Sequence, residues 1–120
     1  MIGSEPRIGV SVAVFRGEDV LLVERGKEPY RGFWSLPGGA VHWGEGTEEA
    51  ARREFLEETG LTVSQLALAD VMTAVLRTQA GTVCQHFVIV VYAGVLTEGE
   101  PTAGSDAVRA GWFDRAERSS

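Results

Sequence analysis

One stretch, Thr47–Thr59, has the composition and punctuation of a helix, and β-branched apolar segments lie on both sides of it. Before it, Ile8–Phe15 alternates loosely. Val20–Glu24 returns after the polar turn Arg16–Asp19, so a hairpin is predicted. Gly26–Gly32 is a loop broken by Pro29 and two glycines, and Phe33–Leu36 is a short apolar segment stopped by Pro37, Gly38 and Gly39. Val41–Gly46 is a second loop. After the helix, Thr62–Arg77 and Thr82–Leu96 are two long β-rich stretches around a turn at Gln79–Gly81. Thr97–Ser105 has the polar, glycine- and proline-containing composition of an exposed loop, and Ala110–Asp114 makes a last short strand. Strands joined by short turns around one helix predict a mixed or antiparallel sheet with the helix across one face, not a doubly wound parallel one. A second covering helix after Asp114 would be missing or very short.

With 120 residues and a mass of 12.9 kDa, a single domain over 1–120 is expected. The longest apolar run, Phe87–Ala93, is far short of the roughly 20 residues that cross a bilayer. No basic region followed by an apolar stretch marks a secretory signal. Seventeen acidic residues against eleven basic ones leave a net charge of −6, which disfavours bulk nucleic-acid binding. The lone Cys84 cannot form an internal disulfide. A cytoplasmic protein is the expectation.

The acid is concentrated. Six of the seventeen carboxylates, Glu45, Glu48, Glu49, Glu54, Glu57 and Glu58, fall within fourteen residues. Thr47 is a good N-cap, Glu48 and Glu49 suit the first turn, and Gly60 stands where a left-handed cap closes a helix. Glu48–Arg52 and Glu49–Arg53 are acid-before-base pairs at i,i+4. Glu54, Glu57 and Glu58, at i, i+3 and i+4, share one helix face and repel one another. No Lys or Arg stands one turn later, so the compensating cation is expected from outside the helix. Clustered hard oxygens suit Mg²⁺ or Mn²⁺. A solvated acidic face is the ordinary fate of such a run, but Gly38–Gly39 and Glu45 beside it favour a site.

Gly39, five residues, Glu45, seven residues, then Arg53-Glu54-Phe55-Leu56-Glu57-Glu58-Thr59-Gly60-Leu61 resembles the 23-residue Nudix box at every specified position. Val20–Arg25, Gly32–Gly39 and Ala50–Ala51 resemble its usual surroundings, and the resemblance covers roughly residues 8 to 96. It implies an α/β/α sandwich around a mixed sheet, with the box as loop–helix–loop. It also implies Mg²⁺- or Mn²⁺-dependent hydrolysis of a nucleoside diphosphate linked to another moiety. Carried over, Glu57 and Glu58 are metal ligands, Glu54 is a ligand or the group that activates water, and the Gly39 carbonyl is a further ligand. Arg53 orients these glutamates, and Glu45 supports the loop.

For substrate binding, Arg25 and Arg31 flank the glycine loop, and Trp34, with Tyr30 and Phe33, offers a ring to stack a base. His42 is a candidate phosphate contact. Glu98, Glu100 and Asp106 compete with Glu54 as the water-activating base. Cys84 and His86 read as structural, and Trp112–Phe113 as a cover for one end of the sheet. ADP-ribose-like substrates are preferred, with oxidised or non-standard nucleoside triphosphates as one alternative and a non-catalytic nucleotide sensor as another. The expected partner is a small nucleotide, neither nucleic acid nor membrane, with a homodimer left open.

Overall fold

The structure is a computed structural model, and it describes residues 5–28 and 30–114. Its strands are β1 (Arg7–Arg16), β2 (Asp19–Arg25), β3 (Trp34–Ser35), β4 (Gly38–Ala40), β5 (Ala67–Arg77), β6 (Val83–Val95) and β7 (Ala107–Asp114). A single helix among the described residues, α1 (Thr47–Thr59), stands between β4 and β5. The expected mixed sheet is present: β1 runs parallel to β6 from Arg7↔Phe87 to Phe15↔Val95, and every other pairing is antiparallel. The path is β3-β2-β1-β6-β5, with β7 on β2 and β4 on β1. A second covering helix would fall outside the described residues.

The predicted β1–β2 hairpin forms, but the two strands pair only at its closed end, Phe15↔Val20 and Arg16↔Asp19. They then diverge, and the segment from Trp34 to Ala40 fills the gap. β3 pairs with β2 through Val23↔Ser35, and β4 pairs with β1 through Gly9↔Ala40 to Ser11↔Gly38. Between them the Val12 N–H donates to the Pro37 carbonyl at 2.8 Å. This crossing satisfies the backbone of both strands and leaves a cleft beside it, which a continuous β1–β2 ladder would have closed.

α1 covers one face of β1 and β6. Val10, Val12 and Val14 alternate inward from β1, and Tyr92 joins them from β6. Phe55 packs against these residues, and Ala50 and Ala51 let the helix approach closely. Gly60 caps the C-terminus at φ +74°, its N–H donating to the Leu56 carbonyl, as its position predicts. At the other end the N-cap is Gly46, not Thr47. The Glu49 carboxylate accepts the Gly46 N–H at 3.0 Å, while the Thr47 hydroxyl meets the Tyr92 hydroxyl at 2.7 Å.

Other boundaries move for equally local reasons. β5 starts at Ala67, because Val63 turns into the core and Arg52 reaches across to its carbonyl. β7 starts at Ala107 and pairs along all of β2, from Arg25↔Ala107 to Asp19↔Asp114. The stretch from Thr97 to Ser105 is a loop, but a fastened one. Its Gly99 carbonyl accepts from Arg16 and Trp112, and its Thr102 and Gly104 N–H groups donate to the Thr59 and Glu58 carbonyls. The carbonyls left open at the end of α1 thereby find donors.

Phe55 is 2% exposed at the centre of this packing. Phe55→Ala should lower the free energy of unfolding by about 3–5 kcal/mol, read as an earlier urea midpoint with an unchanged slope.

Candidate active site

The cleft beside the crossing holds about 360 Å³. Its walls are the end of β2 with the loop to Glu28, the Ser35–Ala40 crossing, Glu54 and Glu58 of α1, and Asp106 with Ala107. Two glycines bring strand and helix together. An added Cβ at Gly38 would lie 2.1 Å from the Val10 carbonyl oxygen, and one at Gly39 would lie 2.5 Å from Glu54 Oε2. The Gly38 N–H donates to Glu58 Oε1 at 3.3 Å.

Arg53 organises the carboxylates. Its Nε and one Nη donate to the two oxygens of Glu45 at 2.7 and 3.0 Å, and that Nη also reaches the Ala40 carbonyl at 3.0 Å. The other Nη lies 2.9 Å from Glu54 Oε2 and 3.3 Å from Glu57 Oε1. The expected Glu49–Arg53 pair is not made, because Glu49 is engaged at the N-cap, whereas Glu48–Arg52 forms at 3.0 Å. The neutralising charge for Glu54 and Glu57 therefore comes from the helix itself, contrary to expectation. The Arg53 guanidinium, followed by the His42 N–H, holds the Glu45 carboxyl far below its ordinary 4.5, at about 2. The same pairing raises Arg53 above its ordinary value.

Glu58 is shifted the other way. Burial pushes its carboxyl well up, the adjacent Glu54 carboxylate adds to the shift, and the Gly38 N–H opposes it. Two hard, facing carboxylates with too little positive charge between them suit a divalent cation. Glu57 is turned to Arg53 and does not line the cleft. Among the described residues no group of three His, Cys, Asp or Glu side chains already encloses a cation site. The three expected ligands are thus brought together only in part: Glu54 and Glu58 line the cleft and Glu57 does not.

The other candidates separate clearly. Arg25 lines the cleft. Arg31 lies on an exposed turn, and Trp34 packs edge-on against Phe113 at 4.8 Å, with Arg109 over its ring at 5.4 Å. His42 is exposed in the box loop, with Nδ1 4.0 Å from Glu45. None of these three lines the cleft. Of the loop acids, only Asp106 does; its carboxylate meets Lys27 at 3.0 Å and its carbonyl accepts the Gly26 N–H at 2.9 Å. Glu100 pairs with Arg16 at 2.9 Å, and Glu98 is exposed. Cys84 lies on β6 with Sγ 3.4 Å from the Leu76 carbonyl, and His86 stands opposite Val75. The sequence reading missed Lys27, Ser35 and Leu36 in the walls; the break at Pro37 between two apolar segments was the available signal.

The Glu45–Arg53 bond has a definite pH dependence. A carboxyl depressed in the folded state contributes stability above its unfolded value and loses it on acidification. The melting-temperature gap between wild type and Glu45→Gln should be full above pH 4.5 and close as the pH falls towards 2. Melting curves across that range check it.

Residues 5–118 match the NUDIX domain. An ADP-ribose pyrophosphatase of Methanocaldococcus jannaschii is 36% identical over 91% of this chain and 62% of its own length. A mouse 8-oxo-dGDP phosphatase is 33% identical over 88% of this chain and 32% of its own length. The chain thus spans less than two thirds of either relative. Among solved structures, a MutT Nudix hydrolase from Burkholderia pseudomallei superposes with a TM-score of 0.80 at 34% identity, covering 92% of this chain and 84% of the other. The Nudix domain of Shewanella oneidensis NrtR, solved with ADP-ribose, has a TM-score of 0.83 at 21% identity, covers 96% of this chain and 77% of the other, and shows likeness of fold. With Gly39, Glu54 and Glu58 of the box lining one cleft, Arg53 bonded to Glu54 beside it, and the domain matched over nearly the whole length, the chain belongs to the Nudix family.

Proposed function

We propose that this protein hydrolyses the pyrophosphate bond of a nucleoside diphosphate linked to another moiety, with ADP-ribose-like substrates preferred. The observation that carries the reading is that Glu54 and Glu58 line one cleft, packed against Gly38–Gly39. The name of the archaeal relative supports the substrate class. A second reading, oxidised nucleoside phosphates, draws on the name of the mouse relative. A sensor that binds without cleaving is disfavoured, since every box carboxylate is present.

In this reading Glu54 and Glu58, with Glu57 and the Gly39 carbonyl, would hold a divalent cation, Mg²⁺ or Mn²⁺. When bound, the cation neutralises the diphosphate and acidifies a water molecule. The chain's own residues do the rest. Arg53 fixes the Glu54 carboxylate by a direct ion pair and ties the box loop to the helix through Glu45. Glu54 accepts the proton of the attacking water, with Asp106, which lines the same cleft, as the competing base. Arg25 and Lys27 line the same cleft and supply positive charge for the phosphates.

Purified protein with ADP-ribose and Mg²⁺ should release AMP and ribose 5-phosphate, and EDTA should abolish the release. Undiminished turnover in the chelator would overturn the metal assignment. Glu54→Gln and Glu58→Gln should each lower kcat by about a hundredfold or more, and Asp106→Asn by less than about tenfold. The reverse order would move the base to Asp106. Mg²⁺ should also raise the melting temperature of the wild type and leave that of Glu58→Gln almost unmoved.

A further inference from the structure

β5 ends the sheet path, and among the described residues no strand pairs with its outer edge. Its ladder with β6 shifts register between Leu68 and Asp70 and again between Leu76 and Arg77. Between those shifts the pairing is regular, from Asp70↔Val91 to Leu76↔Gln85. One bond shows which way this stretch faces. The Val71 N–H donates to the Asp70 carboxylate at 2.7 Å, which turns the backbone groups of Val71 away from β6. Alternation then turns those of Thr73 and Val75 outward as well, and those of Met72, Ala74 and Leu76 towards β6.

Folded proteins blunt such an edge with charges, prolines or a covering element. Met72–Leu76 contains neither a charge nor a proline; Met72 is 49% exposed, and Val75 and Leu76 are each 38% exposed. The Asp70 carboxylate guards the Val71 N–H, so its protection stops where this stretch begins. The far end of β5 also lacks a third strand. Among the described residues β1 first meets β6 at Arg7↔Phe87, so Val75–Arg77 and Val83–His86 stand beyond the sheet as a two-stranded ribbon. Two strands alone are marginal in water.

We infer that a second copy of this chain covers this edge, β5 pairing antiparallel with the partner's β5 about a two-fold axis at Ala74. Such an interface must be self-complementary, and Met72-Thr73-Ala74-Val75-Leu76 runs large, β-branched, small, β-branched, large from either end. Thr73 stands opposite the partner's Val75, and these two exchange the outward backbone hydrogen bonds. On the other face Ala74 meets the partner's Ala74, and Met72 meets the partner's Leu76. The ribbon of each copy then lies along the partner's Val71–Thr73, which is backed by β6 and, through β6, by β1. An axis at Met72 would instead require the N–H that Asp70 holds.

Sedimentation equilibrium and directed cross-linking test the pairing without reference to activity. The wild type should sediment at twice its chain mass of 12.9 kDa at micromolar concentration. Thr73→Pro removes an outward N–H from each copy and leaves the β5–β6 ladder its bonds, and it should raise the dissociation constant at least about tenfold. Val75→Lys, which puts a charge on the edge without touching the backbone, should weaken the dimer by a similar factor of about ten. With Cys84→Ser as background, Ala74→Cys should oxidise to a covalent dimer, because its two copies face each other in a non-hydrogen-bonded pair with Cα atoms about 4.5 Å apart. Met72→Cys in that background should remain uncross-linked. A wild type that sediments as a monomer refutes the pairing, and so does a dimer that both Thr73→Pro and Val75→Lys leave intact. Cross-linking through Met72→Cys in place of Ala74→Cys refutes the axis.

Discussion

Arg53 carries one positive charge into a group of three carboxylates, and the geometry of the site follows from where its nitrogens go. The guanidinium is planar, so two nitrogens that grip Glu45 leave the third aimed at Glu54 and Glu57. The Glu45 contact ties the loop before α1 to the helix, and the Ala40 contact ties the end of β4 to it. A lysine ammonium is a point charge and could not hold loop, strand and helix in one plane. Repulsion between glutamates one turn apart would loosen an isolated helix. Here Arg53 offsets that repulsion at Glu54 and Glu57, while the buried Glu58 accepts the Gly38 N–H instead.

The cleft that this cluster lines owes its existence to a departure from regular pairing. β1 and β2 begin as a hairpin and then separate, so the crossing segment can pair with both. Leu36 and Pro37 sit at the changeover, where proline's missing N–H costs the ladder nothing. The loop after β6 completes the enclosure by donating to the last carbonyls of α1, which brings Asp106 into the cleft that Glu58 lines. Strand divergence, helix end and loop thus meet at one place, and no single element forms the site alone.

Much of this is legible in the sequence alone. Gly60 as a cap, the β1–β2 turn and the β5–β6 turn depend on a few adjacent residues, and all three form as read. The shared face of Glu54 and Glu58 followed from helical spacing. What escaped depends on distant partners. Thr47 has the composition of an N-cap, yet its hydroxyl is drawn to Tyr92, 45 positions away. Glu49 stands one turn from Arg53, yet Arg53 finds a two-pronged partner in the half-enclosed Glu45. Trp34, grouped with Tyr30 and Phe33 by proximity in the chain, turns to Phe113 because β7 pairs along β2. Pairing between elements that are remote in sequence decides each case, and a single sequence carries no direct record of it.

The two glycines of the crossing differ in what surrounds them, and this sets how each position tolerates change. At Gly38 a new methyl group would meet the Val10 carbonyl, part of a backbone that cannot swing aside without parting β1 from β4. At Gly39 it would meet the end of a flexible glutamate, which can rotate away at the expense of its aim into the cleft. Random mutagenesis should therefore separate them by phenotype. Position 38 belongs with the residues whose loss depletes soluble protein, and position 39 with those whose loss leaves folded but inactive protein.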